Sequence, residues 1–66
     1  MKVWINGEAR EAADGVSVAE VVAAHGVPER GVAVAVDDEV VPRASWPSVA
    51  LADGARVEVL TAVQGG

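Results

Sequence analysis

The chain has 66 residues, no cysteine, and ten acidic against five basic side chains, which gives a formal charge of −5. This length allows one small domain without room for an enclosed active site, and the absence of thiols excludes disulfides and thiolate chemistry. The negative charge disfavours binding to nucleic acid or to anionic membranes and favours partners with basic surfaces.

The N-terminal residues predict a β-hairpin. The side chains of residues 2–5 alternate in character enough to predict a strand. Asn6-Gly7 supplies the two positive-φ residues that a type I′ turn requires. The return strand, over residues 8–12, is polar and is expected at a sheet edge. Asp14-Gly15 then ends this strand, because both residue types favour turns.

A helix is expected to begin after Ser17. Ser17 and Glu20 fit a capping box, in which each side chain accepts a hydrogen bond from the other residue's backbone N–H. Gly26 is placed to end the helix in the left-handed conformation, and Pro28 prevents its continuation. The apolar residues recur with a helical period and predict one buried stripe of Val18, Val21 and Val22.

Valine and alanine alternate over Val32–Val36, and this apolar, β-branched run predicts the central strand, buried on both faces or nearly so. Asp37-Asp38 predicts a polar turn. The next strand, over residues 39–41, is short and is confined to an edge or ended by Pro42. Residues 43–48 follow no regular pattern and are expected to be irregular.

The last predicted strand covers residues 56–60, after a turn that ends at Gly54. Its period of two places Val57 and Val59 on one face and the residues between and beside them on the other. Together the elements predict an α+β domain over residues 1–61, in which a mixed sheet of four to five strands wraps one helix. This arrangement is the β-grasp architecture of ubiquitin-like domains.

Residues 62–66 are expected to form a flexible C-terminal tail that ends on Gly65-Gly66. Glycine loses more conformational freedom on ordering than any other residue, so this pair does not serve stability. It offers a thin backbone around which a partner's channel can close. The carboxylate of Gly66 is ionised at neutral pH and can attack the α-phosphorus of a nucleotide without a base of its own.

Three stretches have a specific order along the chain, and the last of them ends on Val-Gln-Gly-Gly. They are Met1–Glu8, then Val32–Val36 followed by Glu39–Arg43 and Trp46, and finally Leu51–Gly54 followed by Val57–Gly66. In this order and at this length they closely resemble the sulfur carrier proteins of thiamine biosynthesis, the ThiS family. One departure is Asp37-Asp38, where relatives often carry Asn with Gly or an aromatic residue.

The resemblance implies a carrier protein and not an enzyme. In this family a ThiF-type adenylyltransferase uses ATP and Mg to convert the terminal carboxylate to an acyl-adenylate. Sulfur from a cysteine-derived sulfur donor enzyme then replaces AMP to give a thiocarboxylate, which a ThiG-type thiazole synthase consumes. The carrier binds no cofactor or metal itself. By this resemblance Gly66 carries the sulfur, and the partner enzymes recognise Val63, Gln64 and Gly65.

Other functions remain open at this point. The small subunit of molybdopterin synthase shares the fold, the Gly-Gly end and the thiocarboxylate that the resemblance implies. The short length of this chain and the residues Val63-Gln64 before the two glycines favour thiamine biosynthesis. A ubiquitin-like protein modifier would transfer the same activated carboxyl group to lysines. A binding module of the TGS type, which has no tail chemistry, is a less favoured interpretation.

The remaining polar and aromatic residues predict structural roles. His25 is expected to be structural, since no other His or Cys accompanies it. The acidic run 37–39 lacks the spacing of a calcium loop and predicts a solvated turn. Trp46 is expected to anchor a core of valine and alanine, whereas residues 41–43 fit a sheet edge or a partner contact equally well. No segment resembles a signal peptide or a membrane span, so we expect a cytoplasmic protein.

Overall fold

The computed structural model describes residues 1–26 and 31–61. In this part of the chain the elements are β1 (Lys2–Ile5), β2 (Glu8–Glu11), the helix α1 (Val18–His25), β3 (Val32–Val36), β4 (Glu39–Val41), a 3₁₀ helix (Arg43–Ser48) and β5 (Arg56–Thr61). The strands form one five-stranded sheet in the order β2-β1-β5-β3-β4. Strands β1 and β5 run parallel, and the other neighbours are antiparallel. This mixed sheet with one α-helix confirms the predicted β-grasp architecture.

Two tight turns connect β1 to β2 and β3 to β4, and each places two consecutive residues at positive φ. Asn6 and Gly7 have φ of 51° and 85°, and Asp37 and Asp38 have φ of 50° and 72°. Asn, Asp and Gly tolerate this region, and its twist matches that of the flanking strands. The carboxylate of Asp37 also accepts a hydrogen bond from the Arg56 N–H at 3.0 Å, which ties the second turn to β5.

Helix α1 begins and ends as predicted. The Ser17 hydroxyl accepts from the Glu20 N–H at 3.1 Å, and the Glu20 carboxylate accepts from the Ser17 N–H at 2.9 Å. The hydrogen bond from the Ser17 N–H stabilises the ionised carboxylate of Glu20 and lowers its pKa, and the Ser17 hydroxyl makes a smaller contribution in the same direction. Gly26, with φ of 83°, caps the other end. Among the described residues no helix is long and apolar enough to cross a bilayer.

The core lies between α1, the 3₁₀ helix and one face of the sheet. Trp46 is 6% exposed, and its indole N–H donates to the Val41 carbonyl at 3.0 Å, which confirms its predicted role as an anchor. The rest of the core is small, as the composition predicted. Its other buried members are Val3, Ile5, Val18, Val21, Val22, Val34, Leu51, Ala55, Val57 and Val59.

The prediction that β3 is central and buried on both faces is wrong. The central strand is β5, and β3 lies between β5 and the edge strand β4. Within β3 only Val34 is fully buried, whereas Ala33 is exposed. The physical reason is that the described residues contain a single α-helix, which covers one face of the sheet and leaves the other open.

The prediction that residues 43–48 are irregular is also wrong, because they form a 3₁₀ helix. The Ser45 N–H donates to the Pro42 carbonyl at 2.8 Å, the i to i+3 spacing of this helix type. The 3₁₀ helix places the side chain of Trp46 in the core. The burial of this side chain stabilises the 3₁₀ helix, which the local sequence does not indicate.

Replacing Ser17 with alanine removes one half of the capping box, so we expect Ser17→Ala to lower the free energy of unfolding by about 0.5–2 kcal/mol at neutral pH. Urea unfolding at neutral pH measures this loss. Because the pKa of Glu20 is lowered in the folded protein, its carboxylate stabilises the fold fully above the ordinary pKa of a glutamate. This stabilisation is lost as the pH falls through the lowered pKa. Alanine at position 17 keeps the N–H that bonds the Glu20 carboxylate, so the pH-dependent part needs its own variant. Urea unfolding of Glu20→Ala and of the unmodified protein at neutral and acidic pH should show a difference that narrows in acid. A difference that stays constant with pH would contradict the role of Glu20.

Candidate functional site

The predicted sulfur-carrying residue lies outside the described part of the chain, as do the predicted recognition residues. These are Gly66 and its neighbours Val63, Gln64 and Gly65. The last described residue before them is Thr61, at the end of β5, where it pairs with Val32 of β3. The candidate site is therefore built from the surface around Thr61, from which the chain continues to Gly66.

The side of the sheet that faces away from α1 is called the open face. Strands alternate their side chains between two faces, so each residue next to a core residue in β1, β3 and β5 lies on this side. Its large apolar members are well exposed: Trp4 at 39%, Leu60 at 63% and Val40 at 72%. Alanines stand beside them, since Ala33 pairs with Leu60 and Ala35 pairs with Val40.

One part of the open face lies directly at the end of β5, and we name it the terminal patch. Because the partner of Leu60 across the strands is only an alanine, the leucine side chain has no large neighbour to cover it. The result is a shallow apolar groove next to Thr61, the last described residue. It is lined by Gly31, Val32, Ala33, Leu60 and Thr61.

The opposite end of β5 is acidic. Asp37, Asp38 and Glu58 line a small cleft together with Arg56, so three acidic residues and one basic residue meet there. This cleft and the terminal patch lie at opposite ends of one strand, which favours a partner that has an apolar contact surface and basic groups beside it. Among residues 1–26 and 31–61, acidic and histidine side chains form no group of three that could hold a metal ion.

The other predicted residues lie away from the open face. His25 occupies the last turn of α1, and its Nδ1 is buried without a hydrogen-bond partner in the described part of the chain. The guanidinium of Arg43 lies above the Trp46 ring, 5.8 Å from its centroid, and so belongs to the tryptophan anchor. Val41 packs against the core from the edge strand β4.

The exposed pair of Leu60 and Ala33 was not predicted as a surface from the sequence. The period of β5 had placed Leu60 opposite Val57 and Val59, which was the available signal. Ala33 could not be assigned to the open face because β3 was expected to be buried on both sides. The correct order of strands supplies the missing information.

Two known proteins resemble the chain over its full or nearly full length. A thiazole synthase of Paramagnetospirillum magneticum is 38% identical over 66 residues, which are 100% of this chain and 20% of that protein. A sulfur carrier protein ThiS of Thermus thermophilus is 41% identical over 64 residues, which are 97% of this chain and 98% of that protein. The chain thus spans about a fifth of the synthase and almost all of the carrier.

A family model and two solved structures agree with these relatives. The model of the ThiS family matches residues 3–66. The crystal structure of a thiamine biosynthesis protein (ThiS) from Geobacter metallireducens has a TM-score of 0.83 at 29% identity, covering 100% of both chains. A solution structure of a thiamine biosynthesis protein from the same organism has a TM-score of 0.82 at 29% identity, covering 100% of this chain and 88% of the other.

Neighbouring residues of β5 should respond differently to truncation. Val59 is 5% exposed and Leu60 is 63% exposed. We expect Val59→Ala to lower the free energy of unfolding by about 1.5–3 kcal/mol, through lost burial and a cavity, and Leu60→Ala to change it by less than about 0.5 kcal/mol. Urea denaturation of the two variants measures both values. Equal losses would mean that Leu60 serves the core and not the surface.

Proposed function

The chain belongs to the ThiS family, and from this membership we propose that it carries sulfur for thiamine biosynthesis on the carboxyl group of Gly66. The observation that carries the proposal is the match of residues 3–66 to the family model, together with near full-length similarity to a sulfur carrier protein. With no cysteine in the chain, the sulfur must be held by a group other than a side-chain thiol. A terminal carboxylate meets this requirement.

The proposed chemistry has two steps, both performed by partner enzymes. First, a carboxylate oxygen of Gly66 attacks the α-phosphorus of ATP in a ThiF-type adenylyltransferase that also binds Mg, and pyrophosphate leaves. Second, hydrosulfide released by an enzyme that takes sulfur from cysteine attacks the acyl carbon, the bond from that carbon to the phosphate oxygen breaks, and AMP leaves. The product is a thiocarboxylate. The carrier is thus a co-substrate of its partners and binds no cofactor of its own.

The sequence between Thr61 and Gly66 suits delivery into an enzyme. Five extended residues span roughly 17 Å, since each contributes at most about 3.3–3.6 Å. This length lets the carboxylate reach a buried active site while the domain stays outside. Gly65 and Gly66 carry no Cβ, so a narrow channel can close around them, and Val63 and Gln64 supply the side chains that partners recognise.

We assign the terminal patch to the contact with the adenylyltransferase. Leu60 and Ala33 form an apolar surface beside the end of β5, so a partner that binds there also receives the residues that follow. The acidic cleft at the other end of β5 complements basic groups on that partner. Exposed apolar area next to charged groups is the usual composition of a protein interface.

Thiazole synthase is proposed as the enzyme that receives the sulfur. In the Paramagnetospirillum relative, a segment similar to this whole chain makes up a fifth of a protein named thiazole synthase. A carrier and a synthase joined in one polypeptide would hold donor and acceptor at high effective concentration. Where the two are not joined in this way, they would meet through binding of the carrier domain and its terminal residues.

Removing or displacing the carboxyl group tests the proposal. We expect deletion of Gly66, or addition of one alanine after it, to abolish ATP–pyrophosphate exchange by the purified adenylyltransferase. A shift of one residue moves the carboxylate by about 3.3–3.6 Å, whereas a misplacement of ~1 Å can already cost a hundredfold in rate. Thermal unfolding should change little, which serves as the folding control. Undiminished exchange after deletion of Gly66 would show that the reactive group lies elsewhere.

The assignment of the terminal patch generates a separate prediction. Leu60→Glu places a charge in the apolar contact and is expected to raise the KM of the carrier for the adenylyltransferase at least about tenfold, which corresponds to about 1.4 kcal/mol. Ala44→Glu is the matched control, because Ala44 is exposed on the 3₁₀ helix, beside α1 and away from the open face. If both variants raise KM equally, the effect is one of net charge, and the patch is not the contact.

A further inference from the structure

The side chain of Asn6 extends the sheet beyond the end of β1. Strand β1 pairs with β5 only as far as Ile5, opposite Val57, and the chain then turns back through Asn6. The Asn6 N–H donates to the Val57 carbonyl at 2.9 Å. One step further along β5, the carboxamide oxygen of Asn6 accepts from the Val59 N–H at 2.8 Å, and its Nδ2 donates to the Val59 carbonyl at 3.1 Å. The carboxamide therefore replaces the peptide group that a longer β1 would have supplied.

The contact between Asn6 and Val59 lies in the part of β5 that no longer pairs with β1. On the β3 side, pairing continues to the end of β5, where Val32 pairs with Thr61. On the β1 side, strand pairing stops at Val57, and in the described part of the chain Asn6 supplies the contacts beyond it. Without this carboxamide, the segment from Val59 to Thr61 would be supported on one side only, as an edge strand is.

The turn alone does not require asparagine at this position. Asn6 has φ of 51°, a conformation that Asn, Asp and Gly all adopt in tight hairpin turns. Of these three, only asparagine has both a donor and an acceptor and can bond the N–H and the carbonyl of Val59 together. Aspartate retains the acceptor alone, and glycine retains neither. The two roles of the residue, in the turn and on β5, can therefore be separated by substitution.

We propose that Asn6 is a positioning residue, which fixes β5 directly before the reactive segment and so sets the path along which Gly66 enters the adenylyltransferase. The proposal rests on the proposed function of Gly66. A rigid start limits the directions in which residues 62–66 can leave Thr61, and it orients Leu60 of the terminal patch at the same time. Ordering that is already present in the free protein need not be supplied during binding.

The test compares three variants with the unmodified carrier. Asn6→Gly keeps the turn and removes both bonds to Val59, and Asn6→Asp keeps the acceptor for the Val59 N–H. The matched control is Asp53→Ala, because the Asp53 carboxylate accepts from the Lys2 N–H at 2.8 Å, a side-chain bond of the same kind at the other end of the sheet. Amide hydrogen exchange at Val59 and steady-state ATP–pyrophosphate exchange are measured at a temperature where all four proteins are folded.

We expect Asn6→Gly to speed hydrogen exchange of the Val59 amide and to lower kcat/KM for the carrier about tenfold. A loss of this size is reasonable, because misplacing a reacting group by ~1 Å can lower a rate about a hundredfold. Asn6→Asp should lie between it and the unmodified carrier. Asp53→Ala should lower the melting temperature while it leaves kcat/KM and the Val59 amide unchanged. This pattern separates positioning from general stability, since a merely structural role would leave kcat/KM unchanged in every variant that is fully folded at the temperature of the assay.

The possible failures have different meanings. If the unmodified carrier supports no exchange, the proposed function is wrong. If it is active and Asn6→Gly retains full kcat/KM although its Val59 amide exchanges faster, the positioning role is wrong. The same conclusion follows if Asp53→Ala loses as much kcat/KM as Asn6→Gly. Should Asn6→Gly fail to fold, Asn6→Asp decides in its place, and full kcat/KM in that variant would overturn the proposal.

Discussion

In residues 1–26 and 31–61, one α-helix of eight residues covers one face of a five-stranded sheet, and the other features of this domain depend on that constraint. The covered face takes alternate side chains of β1, β3 and β5, together with Trp46 from the 3₁₀ helix. The strand residues are Val3, Ile5, Val34, Val57 and Val59. The uncovered face keeps Leu60 and Val40 in contact with solvent. Folding and partner binding can therefore use different sides of the same strands, and alternate residues of β5 belong to one or the other.

The features that could be predicted from sequence are those set by local chemistry. Asn6-Gly7 specifies its turn because both residues tolerate positive φ, and Ser17 with Glu20 specifies the start of the helix because each side chain satisfies the other's backbone N–H. The period of β5 identified Val57 and Val59 as core residues for the same local reason. These signals depend on neighbours within a few positions along the chain.

The features that were missed depend on residues far apart in sequence. The place of Val32–Val36 in the sheet depends on β5, which inserts between β1 and β3. The residues of β3 themselves give no indication of this strand order. The 3₁₀ helix at Arg43–Ser48 forms where Trp46 reaches the core, and the second role of Asn6 requires Val59 beside it. Residues 62–66 lie outside the described structure, so their role is argued from chemistry and from family membership.

The central claim is that sulfur is carried on the carboxyl group of Gly66, and intact-mass analysis of the carrier tests it most directly. The carrier is incubated with the adenylyltransferase, ATP, Mg and a cysteine-derived sulfur donor, and the C-terminal peptide is then sequenced by mass spectrometry. We expect the chain to gain the mass difference between a sulfur and an oxygen atom, and we expect this gain on a peptide that ends at Gly66. An unchanged mass, a gain on any other residue, or linkage of the carboxyl group to lysines would contradict the claim.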